Sequence, residues 1–272
     1  YRRHGLTLRE NQKETRIKPK FFFAGSPPPF VPQYVLLSVK AYQTREALKP
    51  LLEFLPDDTF YITVQNGLKP LEDLKKLVSP KKIVLGVTTE GATRTSPGVS
   101  ERKGKGITFL FSPFNPESQW LDVIRESMDK AGLKAIIPEN GWKIYWQKLV
   151  VSLSVNPITA LLGVKNGELT YHSEGIELIR TVIREALQVI ERMGTPLRYE
   201  ETIEFVFETI KKTSENRSSM LQDIESRRPT EIDAISGEFV RKARSLGIET
   251  PAIETLYRLI RLREKSLGIE IL

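Results

Sequence analysis

The sequence predicts an α/β domain with a parallel sheet, followed by an all-helical domain. Through about residue 138, short runs rich in β-branched residues alternate with helical runs, which is typical of a parallel α/β sheet. Beyond that point the strand-like runs stop and long amphipathic segments follow. We therefore predict a first domain over residues 1–138 and a helical domain over residues 139–272.

Each strand of the first domain is predicted from a short apolar run. The run "YVLLSVKAY" is apolar almost throughout, as expected of a strand that is buried on both faces. The predicted strands cover residues 34–42, 59–67, 81–91, 106–113 and 133–138. The predicted helices cover residues 45–55, with an interruption at Pro50, 71–78 and 118–132. The glycine-rich, basic stretch 93–106 predicts a surface hairpin or loop.

The helices of the second domain are predicted from apolar residues at spacings of three and four. Within residues 176–194 such a stripe of Ile and Leu runs to Gly194, and glycine commonly follows the last turn of a helix. Further helices are predicted over residues 141–163, 200–213, 229–247 and 252–268.

The composition indicates a globular protein without cysteine chemistry. Apolar residues make up 40% and charged residues 28% of the 272 positions. The chain has no cysteine, and His4 and His172 are its two histidines, so we expect neither disulfides nor a metal site. The net charge of +7 is too small and too dispersed to indicate nucleic acid by itself, and it suits a small anionic ligand equally well, so we expect no nucleic-acid partner. The longest apolar stretch, residues 149–164, is too short for a comfortable membrane span, and no secretory signal opens the chain. We expect a cytoplasmic protein with no membrane partner.

A polar stripe runs along the apolar segment 141–163. Lys148, Ser152, Asn156 and Thr159 follow one another at spacings of four, four and three, so they share one helix face. Polar groups buried without partners would cost about 1–3 kcal/mol each, so this stripe should line a wet cleft or meet partners. Alternatively, the lysine reaches solvent and the others bond to nearby backbone. Pro157 should disturb the helix near Asn156.

The segment "NRSSMLQDIESRRPTEID", residues 216–233, combines small polar, apolar and charged residues. Pro229 suits the first turn of a helix, since its missing N–H would have no partner there. Glu231 then borders the buried face of that helix, where the helix dipole favours a carboxylate. Two simpler interpretations stay open: an ordinary glutamate at a helix start, and a polar turn at "NRSS".

These residues resemble a known family. Residues 146–169 and 216–251 are similar to the ketopantoate reductases, also called 2-dehydropantoate 2-reductases. The motifs "VLLSVKAYQT" (35–44), "VQNGL" (64–68) and "GVTTEGAT" (86–93) resemble the same family in the same order. The resemblance covers nearly the whole chain.

The resemblance implies a fold and an activity. Members of the family reduce the 2-keto group of ketopantoate with a nicotinamide cofactor, usually NADPH, on the route to pantothenate and coenzyme A. Their fold is a Rossmann-type domain followed by a helical domain, with the active site in the cleft between them. We therefore expect a small 2-keto acid substrate, NADPH with NADH as the alternative, and a homodimer.

The resemblance also implies the site residues. Lys148, in its "KL" context, matches the family's catalytic lysine, and Glu231, in "TEID", matches its acidic catalytic residue. The substrate-contacting positions are matched by Asn66, Ser152, Asn156, Asn166, Asn216 and Ser219. The positions on the cofactor side are matched by Lys40, Asn66 and Glu231. No metal ligand is implied.

These residue types suit the chemistry. Hydride delivery to a ketone leaves an alkoxide, so a cationic proton donor is needed within hydrogen-bonding distance. Lys148 can supply that proton, and burial among leucine and valine should lower its pKa. A neighbouring carboxylate opposes that shift, so we expect Glu231 to act mainly through the substrate hydroxyl and through positioning. Asn216 and Ser219 are expected to hold the substrate carboxylate.

The sequence departs from the family pattern in two places. Ser152 stands where some members carry asparagine, so a shorter or water-mediated contact is expected there. The family opens with a strand, a G-x-G-x-x-G loop and a helix, whereas residues 1–30 contain no such motif and "RRHGLTLRE" resembles a later segment. We expect that upstream residues are omitted from this sequence.

Two alternative functions stay open. One follows from the missing glycine loop, and the other from the architecture that related dehydrogenases share. The chain could be a truncated, cofactor-free relative that acts as a binding or assembly module. It could also be a related 2-keto or 3-hydroxy acid dehydrogenase with another substrate. The preference between NADP and NAD is not readable, since the residues that choose between them would lie near the missing strand.

Overall fold

The computed structural model describes residues 5–11, 13–20, 22, 26–116 and 119–270. The chain groups into two compact units. The first unit contains the chain up to Ser38, Arg45–Val64 and Leu74–Gly141. The second unit contains Val39–Thr44, Gln65–Asp73 and the chain from Trp142 onward. Two short segments of the first half of the sequence thus belong to the mainly helical unit.

The first unit carries the strands that the structure describes. They are β1 (Leu6–Glu10), β2 (Lys13–Ile17), β3 (Tyr34–Leu37), β4 (Phe60–Thr63), β5 (Ile83–Thr88), β6 (Gly91–Ser96), β7 (Val99–Gly104), β8 (Thr108–Phe111) and β9 (Ala135–Ile136). The helices in the first half of the sequence are α1 (Thr44–Leu48), α2 (Lys69–Leu77) and α3 (Trp120–Lys130). A 3₁₀ turn with Pro50 near its start follows α1, which confirms the predicted interruption.

The larger sheet has the strand order β3-β4-β5-β8-β9. Strands β3, β4 and β5 are parallel, as the alternation of strands and helices predicted. Strand β8, however, runs antiparallel to β5, so the prediction of a wholly parallel sheet is wrong at this strand. The physical reason is the connection: a hairpin rather than a crossover helix lies between β5 and β8 in the chain. Phe60, Ile62, Val84, Leu110 and Ile124 belong to the core of this unit.

The smaller sheet has the order β2-β1-β7-β6. Strands β6 and β7 pair antiparallel, so the stretch 93–106, predicted as a surface hairpin or loop, belongs to a hairpin. Strands β1 and β2 were not predicted, because their side chains are mostly exposed and the apolar runs that mark the other strands are missing there.

The second unit is built from the remaining helices. They are α4 (Gly141–Ser154), α5 (Asn156–Leu162), α6 (Ser173–Arg192), α7 (Tyr199–Lys212), α8 (Ser219–Glu225), α9 (Glu238–Ser245) and α10 (Pro251–Ser266). Helix α6 lies at the centre of their core and buries Ile179, Val182, Ile183, Ala186, Val189 and Ile190 completely. The α/β fold class followed by a helical region is therefore confirmed. Among the described residues, no helix is both long and apolar enough to cross a bilayer.

The start of the helical segment near Pro229 differs from the prediction. Pro229 does not begin a helix: regular structure starts after Glu231, with a π-helical turn over Asp233–Gly237 that continues directly into α9. The carbonyl of Glu231 accepts hydrogen bonds from the N–H groups of Ala234 and Ile235. Glu231 therefore precedes the first turn instead of lying in it.

Candidate active site

The carboxylate of Glu231 is the centre of a hydrogen-bonded network in the second unit. Its Oε1 accepts from the Ala41 N–H at 3.0 Å, and its Oε2 accepts from Asn66 Nδ2 at 3.1 Å. Lys40 Nζ lies 3.7 Å from the same Oε2 and donates to Asp223 Oδ2 at 2.6 Å. The structure thus brings together the three residues expected on the cofactor side, Lys40, Asn66 and Glu231.

Charge complementarity holds Lys40 in this network. Burial by itself would lower the pKa of Lys40, but the carboxylates of Glu231 and Asp223 outweigh burial and raise that pKa. Lys40 is therefore a fixed cation, and about a third of its side chain stays accessible. Arg228 Nε, 3.3 Å from Asp223 Oδ1, supplies a further positive charge to the buried aspartate.

Gly67 allows the loop that carries Asn66 to lie against the π-helical turn. Its φ is +83°, and a Cβ at this position would lie only 2.2 Å from the carbonyl oxygen of Ala234. The N–H of the following residue, Leu68, donates to that same oxygen at 3.0 Å. The hydroxyl of Tyr145 donates to the carbonyl of Gly67 at 2.9 Å. Two hydrogen bonds thus fix the backbone next to Asn66.

Lys148 lies on α4, one turn after Tyr145. Burial lowers the pKa of Lys148 to about 8, although the nearby Glu231 carboxylate acts in the opposite direction. Within the part of the chain that the structure describes, its ammonium has no hydrogen-bond or salt-bridge partner. An amine in this state is suited to donating a proton near neutral pH.

The rest of the polar stripe divides into accessible and bonded groups. Helix α4 ends at Ser154 and α5 begins at Asn156, so the predicted disturbance by Pro157 is confirmed. Asn156 is half-buried, whereas Ser152 is buried. The hydroxyl of Thr159 is fully buried, 2.9 Å from the carbonyl of Val155. It also lies 2.7 Å from the hydroxyl of Ser218, so Thr159 meets partners instead of lining a cleft.

Ser218 and Ser219 have different surroundings at the start of α8. Ser218 is buried, and its hydroxyl oxygen accepts from the N–H of Leu221, as a helix N-cap does. Ser219, the expected substrate contact, is the first residue of the helix and has an exposed side chain. The Thr159–Ser218 contact brings Ser219 close to α5.

The two remaining asparagines lie in adjoining turns. The N–H of Asn166 donates to the carbonyl of Asn216 at 3.0 Å, and Asn216 is exposed. The side chain of Asn166 is buried, and its Nδ2 donates to Thr213 Oγ1 at 3.0 Å. The Oδ1 atom of Asn166 is buried without a partner among the described residues. The Nδ2 end of the Asn166 amide is therefore occupied by a hydrogen bond within the protein.

Sequence reasoning missed Asp223. It is buried, and it binds the Nζ atom of Lys40, which lies 183 positions earlier in the chain. The available signal was an acid between Leu221 and Ile224 in a short apolar helix, because aspartate is seldom buried unless it is paired. The identity of the partner, however, has no signature in the local sequence.

Comparison with known proteins identifies the family. Residues 1–113 match the model of the family described as ketopantoate reductase PanE/ApbA, and residues 140–264 match the model of its C-terminal domain. The 2-dehydropantoate 2-reductase of Pyrococcus horikoshii is 32% identical over 239 residues, which is 87% of this chain and 77% of that protein. The enzyme of the same name from Archaeoglobus fulgidus is 35% identical over 231 residues, covering 85% and 76%.

A solved structure supports the same fold. The ternary complex of a D-mandelate dehydrogenase with NADH and anilino(oxo)acetate superposes with a TM-score of 0.92 at 25% identity, covering 99% of this chain and 88% of that one. Fold and relatives define the class of the protein, an NAD(P)H-dependent oxidoreductase. Within that class, the chain belongs to the ketopantoate reductase family.

Proposed function

We propose that the protein is a 2-dehydropantoate 2-reductase, which reduces ketopantoate to pantoate and serves pantothenate and coenzyme A biosynthesis. The observation that carries this proposal is Lys148, a half-buried lysine near the Glu231 carboxylate whose pKa is lowered by burial to about 8. The family supplies the reaction type, and the lysine supplies the proton that the reduced ketone requires.

The proposed mechanism assigns one role to each element of the network. When bound, the nicotinamide cofactor supplies the hydride. The Nζ atom of Lys148 donates its proton to the keto oxygen as negative charge develops there. Glu231 orients Asn66 through its Oε2 atom and the backbone of Ala41 through its Oε1 atom. A carboxylate so engaged acts by positioning, and it also accepts from the substrate hydroxyl.

The donor set suits an anionic dinucleotide. Lys40 contributes a fixed, partly exposed cation, and Asn66 contributes an amide beside it. We propose that Lys40, Asn66 and Glu231 hold the cofactor and that NADPH is preferred over NADH. The family likeness supports the homodimer proposed for this protein, and light scattering on the purified full-length protein tests it.

Substrate recognition is assigned to polar groups on several helices and loops of the second unit. Asn216 and Ser219 have exposed side chains and are proposed to bind the substrate carboxylate. The further contacts are proposed for Ser152, Asn156, Asn166 and Asn66.

The experiment is a cofactor-oxidation assay on the purified full-length protein. We expect ketopantoate to be reduced with NADPH faster than with NADH, and the Lys148→Met variant to bind NADPH but to turn over at least about 100-fold more slowly. The control is Lys143→Met, which changes a half-exposed lysine on the same helix that pairs with Glu201. Binding of NADPH without reduction of ketopantoate would overturn the proposal.

A second candidate is the reduction of an aromatic 2-keto acid. It is favoured by the D-mandelate dehydrogenase structure, whose likeness extends over 99% of this chain. The discriminating measurement is the ratio of kcat/KM for ketopantoate and for phenylglyoxylate under identical conditions. A ratio well below one would favour the second candidate, and the proposed role of Lys148 would be the same.

A further inference from the structure

Helix α10 presents three polar side chains on one face. Tyr257, Arg261 and Glu264 follow one another at spacings of four and three, so they lie along a single stripe. These side chains contact Thr230, which directly precedes Glu231 in the chain, and Asp233, which lies two positions after it. Glu231 and its neighbours thus receive support from a helix that itself takes no part in the proposed chemistry.

Glu264 makes the closest of these contacts. Its side chain is 1% exposed, and its Oε1 accepts from the N–H of Thr230 at 2.8 Å and from its hydroxyl at 2.7 Å. Its Oε2 accepts from Arg261 Nη1 at 2.7 Å. A buried carboxylate is costly unless charged or polar donors satisfy it, so these three hydrogen bonds fix both Glu264 and Thr230.

The other side of Glu231 is held through Asp233. The hydroxyl of Tyr257 donates to Asp233 Oδ1 at 2.8 Å, and Arg261 Nη1 lies 3.6 Å from Asp233 Oδ2. The Tyr257 ring also lies against Gly237, where a Cβ would come within 3.0 Å of it. Helix α10 therefore holds the π-helical turn at both of its ends.

The backbone position of Glu231 determines two hydrogen bonds, because each of its carboxylate oxygens accepts from a different donor. Oε1 binds the N–H of Ala41 and Oε2 binds Asn66, so a displacement of the backbone at Thr230 disturbs both bonds together. We propose that Glu264 is a positioning residue for Glu231, acting through Thr230. The expected effect of Glu264 on activity rests on the proposed function. Its effect on the position of Glu231 can be measured without an activity assay.

A double-mutant cycle tests the proposal. We expect Glu264→Ala to lower kcat/KM about tenfold in the native background, as the loss of one or two buried hydrogen bonds predicts. With Glu231→Ala already present, the same change should cost less than about twofold, because the residue being positioned is gone. Equal losses in both backgrounds would show that Glu264 is merely structural and would overturn the proposal.

Two variants on α10 serve as matched controls. Glu264→Gln keeps an oxygen acceptor for Thr230, so it should restore kcat/KM to within about threefold of the native value. Glu254→Gln removes a carboxylate of the same helix that pairs with Arg244 and Arg258 at the surface, and it should leave kcat/KM unchanged. If Glu264→Ala fails to fold, Thr230→Val replaces it in the cycle. This change removes the hydroxyl bond to Glu264 and the bond from the Ile232 N–H to that hydroxyl, and it keeps the bond from the Thr230 N–H to Glu264.

Hydrogen exchange separates this inference from the proposed function. The N–H of Ala41 is bonded to Glu231, so its exchange should accelerate in Glu264→Ala and stay native in Glu254→Gln. Unchanged exchange in Glu264→Ala would overturn the positioning role, whatever the substrate is. A native protein that reduces no 2-keto acid would overturn the proposed function alone, and the exchange result would still stand.

Discussion

Lys148 shows how position determines the chemistry of a single side chain. A lysine ordinarily titrates near pH 10.5, and burial on α4 lowers the pKa of this one to about 8. Glu231 is close enough to oppose that change but not to cancel it. The result is an ammonium that is mostly protonated at neutral pH and still acidic enough to donate.

The pH dependence of the reaction follows from this pKa. If Lys148 must be protonated to donate, kcat/KM for reduction should be level below pH about 8 and fall about tenfold per pH unit above it. Rates measured with saturating NADPH between pH 6 and pH 10 check this, with Lys148→Arg as a control whose charge persists throughout. A value of kcat/KM that stays level up to pH 10 would contradict the assignment.

The same pKa predicts an effect on stability. Because the folded-state pKa of Lys148 lies below the unfolded value of 10.5, the charged lysine destabilises the fold below pH about 8. This penalty disappears as the pH rises from 8 toward 10.5. Lys148→Met should therefore raise the melting temperature at pH 7 although it slows turnover, and the gain in melting temperature should shrink at pH 9.5. Calorimetry at both pH values checks the sign.

Gly67 offers a residue-scale test of the loop that carries Asn66. Gly67→Ala must place a methyl group 2.2 Å from the carbonyl oxygen of Ala234 in addition to adopting a positive φ. Gly194→Ala is the matched control, because φ there is +87° and a Cβ would meet open space. We expect a loss of about 1 kcal/mol for Gly194→Ala and about 3 kcal/mol or more for Gly67→Ala. Urea unfolding measures both, and equal losses would refute the clash.

At the scale of elements, the start of α8 carries two adjacent serines, of which Ser218 has a structural role and Ser219 is proposed to bind the substrate. Ser218→Ala removes the N-cap hydroxyl and its contact with Thr159, so it should cost about 1 kcal/mol of stability. Ser219→Ala changes an exposed side chain, so it should leave stability native and raise the KM for ketopantoate. Thermal unfolding and KM measured on both variants check the contrast. Native KM in Ser219→Ala would remove it from the proposed substrate site.

The elements were largely readable because their signals are local. The break between α4 and α5 follows from Pro157, which lacks an N–H, and the central strands follow from apolar runs. Two errors had non-local causes. The direction of β8 depends on how the chain folds through the hairpin that precedes it, and Thr230, next to the late helix start, is hydrogen-bonded to Glu264, 34 positions later in the chain. Spacing alone contains neither fact.

For the whole molecule, cofactor binding should appear as added stability. NADPH that binds only the folded protein should raise the melting temperature, by the equivalent of about 2.7 kcal/mol at a concentration of 100 times Kd. Lys40→Met should reduce this shift. Lys69→Met is the control, because its pair with Asp73 has nearly the same length and exposure as that of Lys40 with Asp223. Equal shifts in both variants would contradict cofactor binding by Lys40.

The order of the central strands and of most helices, the polar stripe along α4 and α5, and the resemblance to the family were readable from the amino-acid sequence. Each of these features is encoded by the spacing of apolar and polar residues or by motifs that are contiguous in the chain. Such patterns reflect structure within a single helix or strand, so they can be recognised without the tertiary structure. The tertiary structure decided which side chains meet. It paired Lys40 with Asp223 across 183 positions and Thr230 with Glu264 across 34. Such pairs arise only when distant segments pack together, because the choice of a partner depends on three-dimensional distance, which residue spacing does not record.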